Sequence, residues 1–192
     1  MNNIKTTAGV DEAGRGPLAG EVYAAAVILN PDDPIDGLMD SKKLSPKRRS
    51  ELSIQIKDRS LAWSISFASV EEIDKLNILN ATLLAMKRAI EDLNVLPNIV
   101  LVDGSRAPSL KGIEVFTIIK GDQKELCISA ASIIAKVARD ERLMALDHIY
   151  PNWSFKRHKG YGTKIHIEAI KKYGITPLHR KSFEPIKSMK FN

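Results

Sequence analysis

The chain has 192 residues, 44% hydrophobic and 27% charged, with one cysteine, Cys127. It is long enough to bury a core, cannot form an internal disulfide, and has no apolar run near the roughly 20 residues that span a bilayer. The net charge of +6 is uneven: residues 1–150 carry 19 Lys/Arg against 21 Asp/Glu, net −2, while residues 151–192 carry 10 against 2, net +8.

Thr6–Asp11 and Glu21–Leu29 read as strands. The second is a continuous apolar run, as a strand covered on both faces requires. Gly14-Arg15-Gly16-Pro17 punctuates the pair. Ser45-Pro46 predicts a helix start, a serine cap followed by proline in the first turn. Trp63–Val70 alternates as a strand, and Val70–Leu93 is helical with breaks near Asn77 and Asn80. Ile99–Asp103 and Ile113–Ile119 are further strands, Glu125–Ile149 is the longest helix, and Thr163 caps a helix ending at Tyr173 before Gly174. This order predicts an α/β fold, a five-stranded mixed sheet flanked by helices. Residues 1–150 would form the near-neutral main domain, and residues 151–192 a basic, helical C-terminal part packed on it. The polar start, Met1 to Lys5, lacks the layout of a signal peptide, and with the lone cysteine it predicts a cytoplasmic protein.

Apolar Ala8 and Val10 lead directly into two carboxylates, Asp11 and Glu12. A charge at the buried end of a strand is costly unless paired or metal-bound. Neighbours on a regular strand point to opposite faces, so the two can share one site only if the chain leaves strand geometry there; taken alone, a solvated strand end accounts for them more readily. Ile99-Val100-Leu101-Val102-Asp103-Gly104 repeats the pattern, with an ordinary Asp-Gly turn as its alternative. Two strand-end aspartates are harder to dismiss, because ligands bind at the carboxyl ends of adjacent parallel strands. Asp122, before the long helix, is either a helix cap or a further ligand. Such an all-oxygen set suits Mg²⁺ or Mn²⁺. Zinc does not fit, because His148, His158, His166 and His179 lack ligand-like spacing.

On the long helix, Ala130, Ala131, Ala135 and Ala138 would allow close approach to the sheet, and Ser129, Ser132, Lys136 and Asp140 form one stripe, lining a site or merely exposed. Two basic patches stand apart from these. Lys42, Lys43, Lys47, Arg48 and Arg49 cluster near a helix start, and Tyr161 sits between Gly160 and Gly162 in a basic loop. Lysine and arginine neutralise phosphates and an aromatic stacks on a base or sugar, although the tail could be solubilising and Tyr161 a packing residue.

Over nearly its whole length the chain resembles bacterial type 2 ribonuclease H (ribonuclease HII). The resemblance rests on Ala8 to Gly20, Asp40 to Ser45, Val102-Asp103-Gly104, Lys120-Gly121-Asp122, Ser129 to Asp140 and His158 to Thr163, in that order. It implies a ribonuclease H-like fold with a helical C-terminal extension. It implies an endoribonuclease that hydrolyses the RNA strand of RNA–DNA hybrids, cuts at ribonucleotides embedded in duplex DNA, and leaves 3′-hydroxyl and 5′-phosphate ends. Asp11, Glu12, Asp103 and Asp122 are then the catalytic, metal-binding carboxylates; Gly14, Arg15 and Gly16 sense the ribose 2′-hydroxyl; and Tyr161 reads the junction, with Lys42 and Lys43 also expected at the substrate. The type 3 sibling usually has lysine where Arg15 stands. The last residues, Lys187 to Asn192, lack the glutamine and paired aromatics of a sliding-clamp motif, so no clamp partner is expected, and a monomer is. A non-catalytic nucleic-acid-binding module would account for the charge but not the strand-end carboxylates. A transposase or resolvase of similar fold would leave the glycine-arginine-glycine loop unaccounted for.

Overall fold

A computed structural model describes residues 6–38, 41 and 44–190. Five strands form one mixed sheet: β1 (Thr7–Ala13), β2 (Val22–Ile28), β3 (Ala62–Ala68), β4 (Ile99–Asp103) and β5 (Glu114–Ile118), in the order β3-β2-β1-β4-β5. β1, β2 and β3 are joined antiparallel, whereas β4 lies parallel to β1 and β5 parallel to β4. The expected five-stranded mixed sheet is therefore present, with β1 at its centre.

Helices cover both faces. The apolar side of α3 (Ile78–Glu91), with Ala81, Ala85, Met86, Ala89 and Ile90, packs on Ala8 and Val10 of β1, Val22, Ala24, Ala26 and Ile28 of β2, and Val100 and Val102 of β4. On the other face, α4 (Leu126–Ile149) and α1 (Pro46–Arg59) enclose Ala13, Ala25 and Val27. This is why β2 is apolar without interruption: alternate residues enter different cores, and neither face meets water.

Local chemistry sets the boundaries. The Ser45 side chain accepts the Arg48 N–H at 3.2 Å and Pro46 opens α1. Ser69 and Glu72 form a reciprocal capping box at α2 (Val70–Leu76), which takes Val70 out of the strand expected to reach it. Asn77, with φ of 67°, separates α2 from α3 and caps the latter by accepting the Asn80 N–H at 3.1 Å. The expected helix break thus falls at Asn77 alone, and Asn80 lies inside α3. Thr163 caps α6 (Lys164–Tyr173), which ends before Gly174 as expected.

One contact brings α4 onto the sheet. A Cβ built on Gly9 would lie 2.1 Å from the Cys127 carbonyl carbon and 2.3 Å from the Ile128 nitrogen. The start of the helix thus rests on the backbone of β1 itself, closer than the alanines expected to permit it would allow alone. After α4 the chain makes a short α5 (Phe155–His158) and then α6. Phe155 packs with Ala19, Leu143 and Leu146, and Ile170 and Ile186 pack with Leu18. Among the described residues no helix is long and apolar enough to cross a membrane.

Gly9→Ala should destabilise the fold by at least the ~1–3 kcal/mol typical of overpacking, because the added methyl meets backbone and not a flexible side chain. Urea denaturation measures this, and wild-type stability in the variant would contradict the close approach.

Candidate active site

β1 does not end at Asp11. It continues to Ala13, paired with β2 through Asp11↔Ala25, Glu12↔Ala24 and Ala13↔Tyr23, while its pairing with β4 stops at Val10↔Val102. Pairing with β2 thus continues past Asp11, and what lets the two carboxylates act on one another and on Asp103 is the open edge left where β4 stops pairing. Asp11 faces α4 and Glu12 faces the α3 side, where Glu12, Arg15, Thr82 and Asp103 line one cleft. The two carboxylates stand on either side of a central strand at the point where β4 runs out.

Asp11 is buried, accepting the Glu12 N–H at 2.7 Å and a hydrogen bond from the Ser132 hydroxyl. Burial, then the charges of Glu12 and Asp103, push its carboxyl well above the usual range, against the lowering by these two donors. Burial also raises Glu12; the Arg15 guanidinium, 3.5 Å away, opposes the shift, and Asp103 adds to it. Asp103, ending β4, accepts the Gly121 N–H at 2.7 Å. That bond ties it to the turn of 3₁₀ helix Gly121–Gln123, which carries the buried Asp122. Asp122 is not the cap of α4, a position held by Glu125.

Asp11, Glu12 and Asp103 are therefore close enough to disturb one another's ionisation, and Asp122 adjoins the residue that binds Asp103. Among the described residues, no three His, Cys, Asp or Glu side chains are gathered tightly enough to ligate one ion as they stand. The donors nevertheless fit a hard divalent cation: they are carboxylate oxygens, and the contacts described for Asp11 are a hydroxyl and an amide. On the stripe of α4, Ser132 also meets the Ser41 hydroxyl at 3.0 Å, and Lys136 pairs with Asp140 at 2.6 Å. The buried Ser129 hydroxyl has no partner among the described residues.

The segment after β1 is held by two buried arginines that no local sequence pattern marks. Arg139 donates to the carbonyls of Ala19 (3.1 Å), Glu21 (3.2 Å) and Lys159 (3.0 Å). Arg180 donates to those of Gly14 (2.6 Å), Arg15 (2.9 Å) and Gly20 (2.9 Å). Gly14, at φ of 98°, lies so close that a Cβ would be 2.0 Å from the Arg139 Nε. Arg15 and Gly16 are exposed, and a Cβ on Gly16 would meet only the Tyr161 ring, at 3.7 Å. The structure thus brings Gly14, Arg15, Gly16 and Tyr161 together beside Glu12. Lys42 and Lys43 lie outside the described residues. In the same basic patch, Arg49 binds the carbonyls of Ser41 and Leu44 and Arg48 pairs with Glu51.

The histidines also converge, despite a sequence spacing that gave no hint of it. His158 and His166 stack with centroids 4.3 Å apart, and the Nε2 atoms of His166 and His179 are 3.1 Å apart. Among the described residues, no metal-ready cluster results.

Against known proteins, residues 8–186 match the family model described as Ribonuclease HII. The ribonuclease HII of Bordetella avium (strain 197N) is 60% identical over 181 residues, 94% of this chain and 89% of that protein. The ribonuclease H2 of Pyrococcus horikoshii OT3 superposes with a TM-score of 0.79 at 28% identity, covering 95% of this chain and 96% of that one. The RNase HII of Archaeoglobus fulgidus, solved in a complex with PCNA, gives 0.78 at 26%, covering 93% and 95%. Fold and site therefore define a nuclease of the ribonuclease H class, hydrolases that depend on divalent metal ions. Within that class, the chain belongs to the ribonuclease HII family. It is an endoribonuclease that degrades the RNA of RNA–DNA hybrids.

The buried imidazoles make stability depend on pH. Burial first, and then a neighbouring imidazole, lowers His166 and His179 to about 4 each. The unfolded chain takes up these protons near pH 6.5 and the folded one does not, so the contribution is complete above 6.5 and is lost as pH falls from there to about 4. Denaturation midpoints should fall across that window, less so in His179→Asn; a flat profile through pH 5 in the wild type would contradict the buried, neutral state.

Proposed function

We propose that Asp11, Glu12, Asp103 and Asp122 hold the divalent metal, Mg²⁺ or Mn²⁺, and that Gly14, Arg15, Gly16, Lys42, Lys43 and Tyr161 bind the substrate. We also propose cleavage at single ribonucleotides in duplex DNA, with 3′-hydroxyl and 5′-phosphate ends. The observation that carries the reading is the trio of Asp11 and Glu12, where β1 outruns β4, and Asp103, which ends β4, each of the first two carboxyls raised by burial and by its neighbours. Carboxylates so placed repel one another unless a cation joins them. A bound divalent ion would activate the attacking water and neutralise the leaving oxygen.

The chain's own residues supply recognition. The two strands of a hybrid differ at the 2′-hydroxyl, a donor and acceptor at once. Gly16 carries no side chain to block the approach of main chain to that group. Arg15 is exposed beside Glu12, and its planar fork suits a neighbouring phosphate. The Tyr161 ring, alongside Gly16, suits packing on the sugar to the 3′ side, where a second 2′-hydroxyl would crowd it. The +8 charge of residues 151–192 suits phosphates without sequence preference. We read these residues as an extension packed on a catalytic part, residues 1–150. Because every proposed residue comes from one chain, a monomer suffices. The lone Cys127, with no second cysteine to pair with, suits a reducing cytoplasm.

The test is cleavage of a duplex containing one ribonucleotide, with Mg²⁺, with Mn²⁺ and with neither. Asp11→Asn and Asp103→Asn should each lose more than the roughly 10–100-fold that an outer-shell partner of a metal is worth. Asp11→Asn should melt at or above the wild-type temperature, because it removes a buried, repelled charge. Activity retained in either variant would refute the assignment.

Recognition is checked separately by the ratio of rates on a single-ribonucleotide duplex and on a long hybrid. Tyr161→Ala should lower that ratio. Gly16→Ala should slow both substrates while leaving the melting temperature unchanged, since its methyl makes only ordinary contact in the free protein.

A further inference from the structure

The main chain around Tyr161 is held on two sides by imidazoles, and the hydrogen-bond pattern fixes where their protons sit. Thr176 directs its backbone N–H at His179 Nδ1 at 2.9 Å, so that nitrogen is bare and the proton is on Nε2. His179 Nε2 faces His166 Nε2 at 3.1 Å; the former donates, so the latter is bare and the His166 proton is on Nδ1. His166 Nδ1 then donates to the Tyr161 carbonyl at 3.0 Å. One residue earlier, the Gly160 N–H donates to His158 Nδ1 at 3.2 Å, leaving His158 Nε2 to donate to the Trp153 carbonyl at 2.7 Å.

We propose that His166 and His179 are positioning residues: a relay of neutral imidazoles, running from the Thr176 amide to the Tyr161 carbonyl, sets the backbone that carries the Tyr161 ring to the substrate. This rests on the reading of Tyr161 as the residue that recognises a single ribonucleotide. Three features favour a relay over incidental packing. Both histidines are fully buried, so water does not compete for their nitrogens. The chain of donors is consistent from end to end with one proton per ring, and a second proton on either ring would set two N–H groups against each other or against the Thr176 amide. Burial and the neighbouring imidazoles, His158 among them, keep both rings neutral at ordinary pH. Gly160, at φ of 83°, has no room for a Cβ, which would sit 2.5 Å from the Ala19 carbonyl oxygen, so the loop has little other freedom. The ring position beside Gly16 is then determined from the C-terminal segment that carries Thr176 and His179.

Two measurements test the relay. The first is ¹⁵N NMR of the imidazoles in the wild-type protein. His166 should carry its proton on Nδ1, the minority tautomer of a free imidazole, and His179 on Nε2; a proton on His166 Nε2 overturns the relay whatever the variants do. The second is the rate ratio between the single-ribonucleotide duplex and the long hybrid, which cancels effects on the shared catalytic centre. His166→Leu should lower that ratio about threefold or more, the scale of one lost hydrogen bond. His166→Asn, whose amide can still donate to the Tyr161 carbonyl, should restore much of it. Combining His166→Leu with Tyr161→Ala should lower the ratio no further than Tyr161→Ala alone. If Tyr161→Ala lowers the ratio and His166→Leu, folded and active on the long hybrid, does not, the relay is refuted and the role of Tyr161 stands. If Tyr161→Ala itself leaves the ratio unchanged, the role of Tyr161 falls, and the relay's function with it.

Discussion

The backbone of α4 lies directly on the backbone of β1, and the absence of a side chain at Gly9 is what permits it. From that contact outward, one rigid helix serves successive positions along the strand and beyond it. Cys127 and Ile128 meet Gly9, Ser132 reaches Asp11, and Arg139 lies against Gly14. The three contacts are successive steps along one helix, matched to residues 9, 11 and 14 of an extended chain that then turns. Just before the helix, Gly121 donates to Asp103 and its Cα faces Ile128. A helix held further out, as a side chain at residue 9 would hold it, would lose these contacts together. The carboxylates and the loop beside them thus share one reference frame.

Burial is used oppositely for the two signs of charge. Asp11 is buried and Glu12 half-buried among like charges, and their carboxyls rise accordingly. Arg139 and Arg180 are more deeply buried still, yet every nitrogen of both guanidiniums donates to a main-chain carbonyl. Burial, followed by the charge of Arg139, lowers Arg180 to about 9, which leaves it charged at neutral pH. Neutral carbonyls solvate these cations without neutralising them, so their positive charge remains beneath the segment proposed to approach phosphates. Asp11, Glu12 and Asp103 oppose one another's ionisation, whereas the guanidiniums are held by neutral main chain. The first arrangement suits an ion that arrives with the substrate's chemistry, the second a permanent scaffold.

How much of this was legible in the sequence follows from how local each signal is. Ser45, Ser69, Asn77 and Thr163 cap helices through neighbours three residues away, so helix starts could be read within a residue or two. The two-sided burial of β2 was legible because an apolar run of strand length leaves no polar face to turn toward water. Asp11 and Asp103 stood out because a carboxylate directly after a run of apolar residues is a local anomaly. The end of β1 was misjudged, because whether Glu12 and Ala13 stay in strand geometry depends on β2 pairing opposite them. Gly9, Arg180 and the histidine cluster were invisible for the same reason. Gly9 gains its role from Cys127 and Arg180 from Gly14, both far away along the chain, and the histidines meet through turns of the chain that no regular spacing marks.

The C-terminal part is more than a charged appendage to the sheet. Its charge suits the polyanion, but its attachment is made by main chain and buried side chains. The Leu18 N–H donates to the Gly160 carbonyl and that of Gly20 to the Leu178 carbonyl, each at 2.8 Å, while the Arg180 N–H donates to the Leu18 carbonyl at 2.8 Å. The residues between Gly14 and Glu21 are consequently gripped on one side by α4 through Arg139 and on the other by residues 160–180. A segment so enclosed cannot shift without moving either the helix that contacts Asp11 or the loop that carries Tyr161. The carboxylates proposed to hold the metal and the tyrosine proposed to read the sugar must register to within a fraction of an ångström to cut one particular phosphodiester. Threading the glycine-arginine-glycine segment between the two units makes that registration a property of the fold, set before any nucleic acid is bound.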